Sequence, residues 1–278
     1  MILSLNPVIL NGRVAWPEMA DVAARAGFPG VEVPVVKALE ATPQVAIEQL
    51  KKLKLRPGAI GLPTEIRKDD ETFKRDLALL DKAASFASAI GCPRMATWIP
   101  SSADLPKAEQ KKLMQGRIKA VCDVLARSHV RLGLEFLGPL HIRKAKPYEF
   151  IWKMPEMLDF ARECGSNCGL LLDSWHWHHA GATAEDIVKA GKDAIVHVHL
   201  ADAQQLPPEQ VKDNERLIPG EGVVDWAGFL GALKKIGYKD AVSPEVFGRG
   251  LKDMSVDEAA KLVRTKSSEL LAKHGIKS

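Results

Sequence analysis

Four residues able to bind a divalent cation stand at matching places in the second half of this sequence. They are Glu135 in "GLEF", Asp173 in "LLLD", His199 in "HVHL" and Glu245 in "SPEV". Each closes a short apolar run of the kind that forms a buried strand. Side chains alternate faces along a strand, so Gly133, Leu171, His197 and Ser243 share the faces of the four and lie one layer lower. If the strands are neighbours, three carboxylates and an imidazole converge. Crowded carboxylates repel one another and raise one another's pKa unless a cation neutralises them, and a divalent metal is the simplest remedy. An ion that binds a ketose carbonyl and its neighbouring hydroxyl polarises the C=O and acidifies the adjacent C–H, which brings an enediolate within reach. Taking that proton and returning it needs one or two carboxylates beside the substrate. Glu135 and Glu245, on strands separated by two others, can flank it as the catalytic pair.

The elements that would carry these residues form a regular series. Strand-like runs occur at 2–6, 30–35, 56–63, 94–99, 131–137, 168–173, 195–202 and 241–247. Amphipathic helical segments follow them at 16–26, 43–54, 71–89, 107–128, 153–164, 183–190, 226–236 and 256–274. Eight βα units in 278 residues, close to the ~250 typical of the fold, predict a single α/β domain over 1–278 closed as a (β/α)8 TIM barrel. Chemistry in such a barrel sits at the C-terminal strand ends, where the four ligands lie. A dinucleotide fold is not supported: no G-x-G-x-x-G follows the first strand, and "PGEG" at 219–222 opens no phosphate-cradling helix. In this frame His199 is a ligand and His197 a support beneath it, within reach of Ser243. A buried, satisfied core histidine is the alternative for His197.

Composition sets the outer limits. Apolar residues make up 46% of the chain and charged residues 27%, an ordinary globular balance. The net charge of +4 is spread over lysines and arginines interleaved with Leu and Met, as at 51–56 and 107–119, which reads as solvated helix faces and not a nucleic-acid patch. The cysteines, Cys92, Cys122, Cys164 and Cys168, lack the paired spacing of a zinc knuckle and are expected to be reduced. The N-terminal "MILSLN" has no basic region before it, and no apolar run reaches membrane-spanning length, so a cytoplasmic protein without membrane contact is expected. Apolar positions on the helix at 153–164 ("MPEMLDF") could support a homo-oligomer or simply pack into the core.

The set "GLEF", "LLLDSWHWHHAG", "HVHLADA" with "RLIPGEGVVDW", and "SPEVF" resembles the sugar isomerase/epimerase family of xylose-isomerase-like barrels, which includes tagatose 3-epimerases, hydroxypyruvate isomerases and inosose dehydratases. The resemblance implies one Mn²⁺, Mg²⁺, Co²⁺ or Zn²⁺ held by Glu135, Asp173, His199 and Glu245. It also implies a small sugar or keto-polyol substrate, with His176 and Arg216 as the pair that orients it by bonds to oxygens on which charge develops. Arg216 lies in the charged loop "PPEQVKDNER", where a solvated arginine is an equal reading. Trp98, Glu32 and Glu65 also stand near strand ends, placed either to bind substrate or to pack and be solvated.

The abasic-site endonucleases of the same superfamily share Asp173, His176 and "GEG", but their three-zinc site needs histidines from early strands. The first histidine here is His129, and Asn214 and Arg216 replace the Asp and His expected before "GEG". The same absence argues against a two-metal xylose isomerase site. Free-ketose epimerases often carry a Glu six residues after the first ligand, where this chain has His141. The expected activity is therefore a metal-dependent isomerase or epimerase on a ketose or related keto-polyol. A dehydratase using the same site, or an idle metal- and sugar-binding barrel, are the alternatives.

Overall fold

The computed structural model describes residues 1–39 and 42–278. Eight parallel strands, β1 (Ile2–Leu5), β2 (Gly30–Val33), β3 (Arg56–Gly61), β4 (Arg94–Trp98), β5 (Arg131–Glu135), β6 (Cys168–Asp173), β7 (Ile195–Leu200) and β8 (Ala241–Pro244), close on themselves in chain order. Eight helices cover them: α1 (Glu18–Arg25), α2 (Pro43–Leu53), α3 (Asp70–Ala89), α4 (Lys107–Ala126), α5 (Met154–Cys164), α6 (Ala184–Ala190), α7 (Trp226–Lys235) and α8 (Val256–Lys273). This is the (β/α)8 barrel expected, with the main core between strands and helices.

Local chemistry sets the helix starts. Asp69 accepts from the Thr72 amide at 2.8 Å to cap α3, and Asp225 accepts from the Gly228 amide at 2.9 Å to cap α7. Reciprocal boxes, Thr183 with Asp186 and Ser255 with Glu258, open α6 and α8. Several strands stop one to three residues before the apolar runs do: the run at 241–247, for example, pairs only as Ala241–Pro244. The surplus residues are where the chain leaves the ladder to build the upper face. Short helical turns at Leu140–Arg143 and Ser174–His179 and a small antiparallel ribbon, Ser102–Ala103 with Tyr148–Glu149, decorate that face.

Register brings the site together. Asp173 pairs with His199, His199 with Ser243 two residues before Glu245, and Trp98 with Glu135. On α5 the apolar residues Met154, Met157, Leu158 and Phe160 are buried in the core, so the oligomer surface considered for that helix is not offered. All four cysteines are free and buried. Among the described residues no helix is long and apolar enough to cross a membrane.

Candidate metal centre

One ligand atom from each of Glu135, Asp173, His199 and Glu245 lies within 4.8 Å of the other three. His199 Nδ1 stands 3.4 Å from Glu245 Oε1 and 3.8 Å from Glu135 Oε1. Both His199 Nδ1 and Glu135 Oε1 are buried without a hydrogen-bond partner, a costly arrangement for two polar atoms that face each other. Three oxygens and one imidazole nitrogen, inward-facing with two of them unsatisfied, suit one divalent cation.

The other side of the imidazole is occupied. His199 Nε2 lies 3.1 Å from Glu32 Oε1, so the ring proton belongs on Nε2 and Nδ1 is left as the ligand atom. His197, one layer lower, reaches the same Glu32 oxygen at 2.8 Å and Ser243 Oγ at 3.2 Å. Asn6, which the sequence reading overlooked, donates to Glu32 Oε2 at 3.2 Å while its own Oδ1 accepts from the Val8 amide at 2.9 Å. Glu32 is thus a buried brace for the two histidines. Its only sequence signal was a lone acid in an apolar strand.

Arg216 corrects the solvated-loop reading. It is 2% exposed, with Nη1 on Asp173 Oδ2 (3.1 Å) and Glu245 Oε2 (2.8 Å), and Nη2 on His176 Nε2 (3.1 Å) and Asp213 Oδ1 (2.7 Å). Its guanidinium also lies over the rings of Trp175 and Phe247. The protein therefore supplies part of the positive charge that the carboxylates require. Asp173 Oδ1 accepts from the Trp175 and His176 amides at 2.6 and 3.0 Å, which fixes the carboxylate and caps the short turn carrying His176. The loop that returns Arg216 to the barrel is organised by Asp202, also overlooked. This buried carboxylate accepts from the amides of Gly220 and Val224 and from Trp226 Nε1, at 2.9, 3.0 and 2.7 Å. A Cβ at Gly222 would strike the Ala203 carbonyl and the Asp202 carboxylate, which accounts for the glycine in "GEG".

The two glutamates sit in unlike fields. Burial raises Glu135 to about 8, with repulsion from Glu245 and Asp173 adding to it. Burial works to raise Glu245 as well, but His199 and Arg216 outweigh it and hold the group at about 2. Burial would depress His199, yet Glu245 and Glu32 keep it well above the usual imidazole range. His176 is driven well below that range by burial and by Arg216, so it is the neutral acceptor for the arginine.

A cavity of about 370 Å³ opens above the ring, with Glu135, His199, Glu245, Glu32 and Trp98 in its lining. His176 and Arg216 are not in that lining; they stand behind the carboxylates. Trp98, 42% exposed, lies under the Arg67 guanidinium at 4.0 Å, and Arg67 is held by Glu65. Glu65 thus acts on the cavity rim through Arg67 and Trp98.

The sequence profile described as xylose isomerase-like TIM barrel matches residues 20–273. An inosose isomerase from Halalkalibacterium halodurans is 28% identical over 63% of this chain and 63% of its own length, so the match covers less than two-thirds of that relative. A xylose isomerase domain protein from Alicyclobacillus acidocaldarius is 27% identical, with a TM-score of 0.89 and 99% of both chains covered. The IolI protein, solved with a bound zinc atom, shares the fold at 20% identity, with a TM-score of 0.83 and 99% of both chains covered.

Proposed function

Because this chain belongs to the xylose isomerase-like TIM barrel family, we propose that it is a divalent-metal-dependent isomerase or epimerase that moves a proton beside the carbonyl of a ketose or related keto-polyol. The observation that carries the reading is the pair of orphaned buried atoms, Glu135 Oε1 and His199 Nδ1, inside a ring of four ligand residues. Glu135, Asp173, His199 and Glu245 would hold the ion, and the zinc atom in the IolI structure is consistent with that assignment. When bound, the ion supplies Lewis-acid polarisation of a carbonyl.

The remaining work falls to the side chains. Glu245, ionised by its bonds to Arg216, and Glu135, across the ring from it, are the two carboxylates placed to take the proton from carbon and to return it. Arg216 fixes the orientation of Glu245 and Asp173, and neutral His176 fixes Arg216. Glu32 and Asn6 hold the imidazole in its ligand tautomer.

Elemental mass spectrometry of the purified protein, before and after incubation with Mn²⁺ or Zn²⁺, tests the centre. About one ion per chain is expected, and its loss in His199→Ala. Deuterium exchange into ketoses in D₂O tests the chemistry, which Glu135→Gln and Glu245→Gln should abolish. Loss of water begins with the same proton removal, so product analysis separates a dehydratase. A metal-free protein after incubation would overturn the reading, and a metal-loaded protein exchanging no ketose would leave a binding barrel.

A further inference from the structure

We propose that the substrate is oxygenated at one end only: a 2-hydroxy ketone whose remaining carbons, in chain or ring, carry few hydroxyls. This rests on the proton-transfer reading above and narrows its substrate class, favouring simple 2-hydroxy ketones over the fully hydroxylated ketoses and keto-polyols. The cavity has two unlike walls. The wall from β5 to β8 presents carboxylates and imidazole. The wall from β1 to β4 is mostly apolar, with Leu62 and Ala96 on it beside the carboxylate of Glu32, and Ala96 pairs with Gly133, which fixes it to the inward face shared with Glu135.

The backbone makes that wall poorer still in donors. Pro7, Pro34 and Pro63 stand just beyond the ends of the first three strands and line the cavity, at rim positions where other residues would offer an amide. Proline has no N–H. The Leu62 amide is spent on the Ala96 carbonyl at 2.8 Å. Of the polar side chains there, Glu32 is bonded to His197, His199 and Asn6, Asn6 also to the Val8 amide, and Thr97 Oγ1 accepts from Arg67 at 3.0 Å. A sugar hydroxyl brought against this wall exchanges water for hydrocarbon and loses its bonds, whereas a methylene gains by the same transfer. The four-ligand wall has the opposite preference. The cavity therefore sorts the two ends of a substrate, and a hydroxyl on every carbon counts against binding.

The test is calorimetric titration of Mn²⁺-loaded protein, its metal content checked beforehand, with two matched pairs. The ring pair is 2-hydroxycyclohexanone and an inosose; the chain pair is 1-hydroxyhexan-2-one and D-fructose. In at least one pair the poorly hydroxylated ketone should bind on the order of tenfold tighter. Ala96→Ser and Leu62→Thr, which each put a hydroxyl on the apolar wall, should narrow that ratio severalfold. If the polyol of both pairs binds as tightly or more tightly, the inference is overturned while the proton-transfer reading stands. If no ketone binds the loaded protein, that reading fails and takes the inference with it.

Discussion

Glu32 bears on metal affinity from the far side of a ligand. Its Oε1 holds the Nε2 proton of His199, which fixes the ring's rotation and leaves Nδ1 bare toward Glu135 and Glu245. Its negative charge also makes the imidazole a better donor. Losing that charge while keeping the shape should matter, since a partner of this kind typically accounts for ~10–100-fold in affinity. Glu32→Gln is therefore expected to weaken Mn²⁺ binding by about that factor, with the ligand count unchanged, as read by competition with a chromophoric chelator. An unaltered dissociation constant would remove Glu32 from this role. Arg216 acts at the same scale by another route: without it Asp173 and Glu245 would lie buried with less compensation, a costly condition for carboxylates.

Elements deliver these residues by register, and register was largely readable. The short apolar runs located all eight strands, which lie between the helices and the barrel interior, and the ligands stood out as polar residues at their ends. The helices were readable from periodicity and from caps such as Asp69 and Ser255. What lay hidden were contacts between distant segments. Nothing local in "KDNER" says that Arg216 turns inward, because the cause is Asp173 and Glu245 waiting at strand ends 43 and 29 residues away in sequence. Asp202 was hidden for the same reason: its partners are the amides of a loop that folds back over it. Removing this acceptor leaves four donors unpaired, the amides of Ala203, Gly220 and Val224 and Trp226 Nε1, and frees the loop that presents Arg216. Asp202→Ala should then cost about 2–4 kcal/mol in denaturant unfolding. Asp202→Asn, which keeps one acceptor, should cost less. Equal midpoints for wild type and Asp202→Ala would refute this account of the loop.

At the scale of the whole molecule the metal centre is a question of proton balance. Glu135 is raised to about 8 against an ordinary value of 4.5, so between those pH values the folded, metal-free chain holds a proton that the unfolded chain has released. Stability from that proton is lost as pH rises through the window. His199, raised well above 6.5, behaves alike: its contribution is complete below 6.5 and lost as pH climbs toward its folded value. Burial lowers His176, His197 and His179, which act in the opposite sense and mask the trend in any single melting curve. Comparing metal-loaded with chelated protein largely cancels them, because they lie outside the four-ligand set. Binding displaces the protons of Glu135 and His199, so affinity tightens by up to about tenfold per proton per pH unit while each is still held. Ligand bound only by the folded state at 100 times its dissociation constant adds about 2.7 kcal/mol. The melting-temperature gap between Mn²⁺-loaded and chelated protein should therefore widen steadily from pH 5.5 to pH 8 at fixed free metal. A gap that is flat or that narrows over this range would mean the ring takes up its ion without giving up protons, contrary to the fields that Glu245, Asp173 and Glu32 impose.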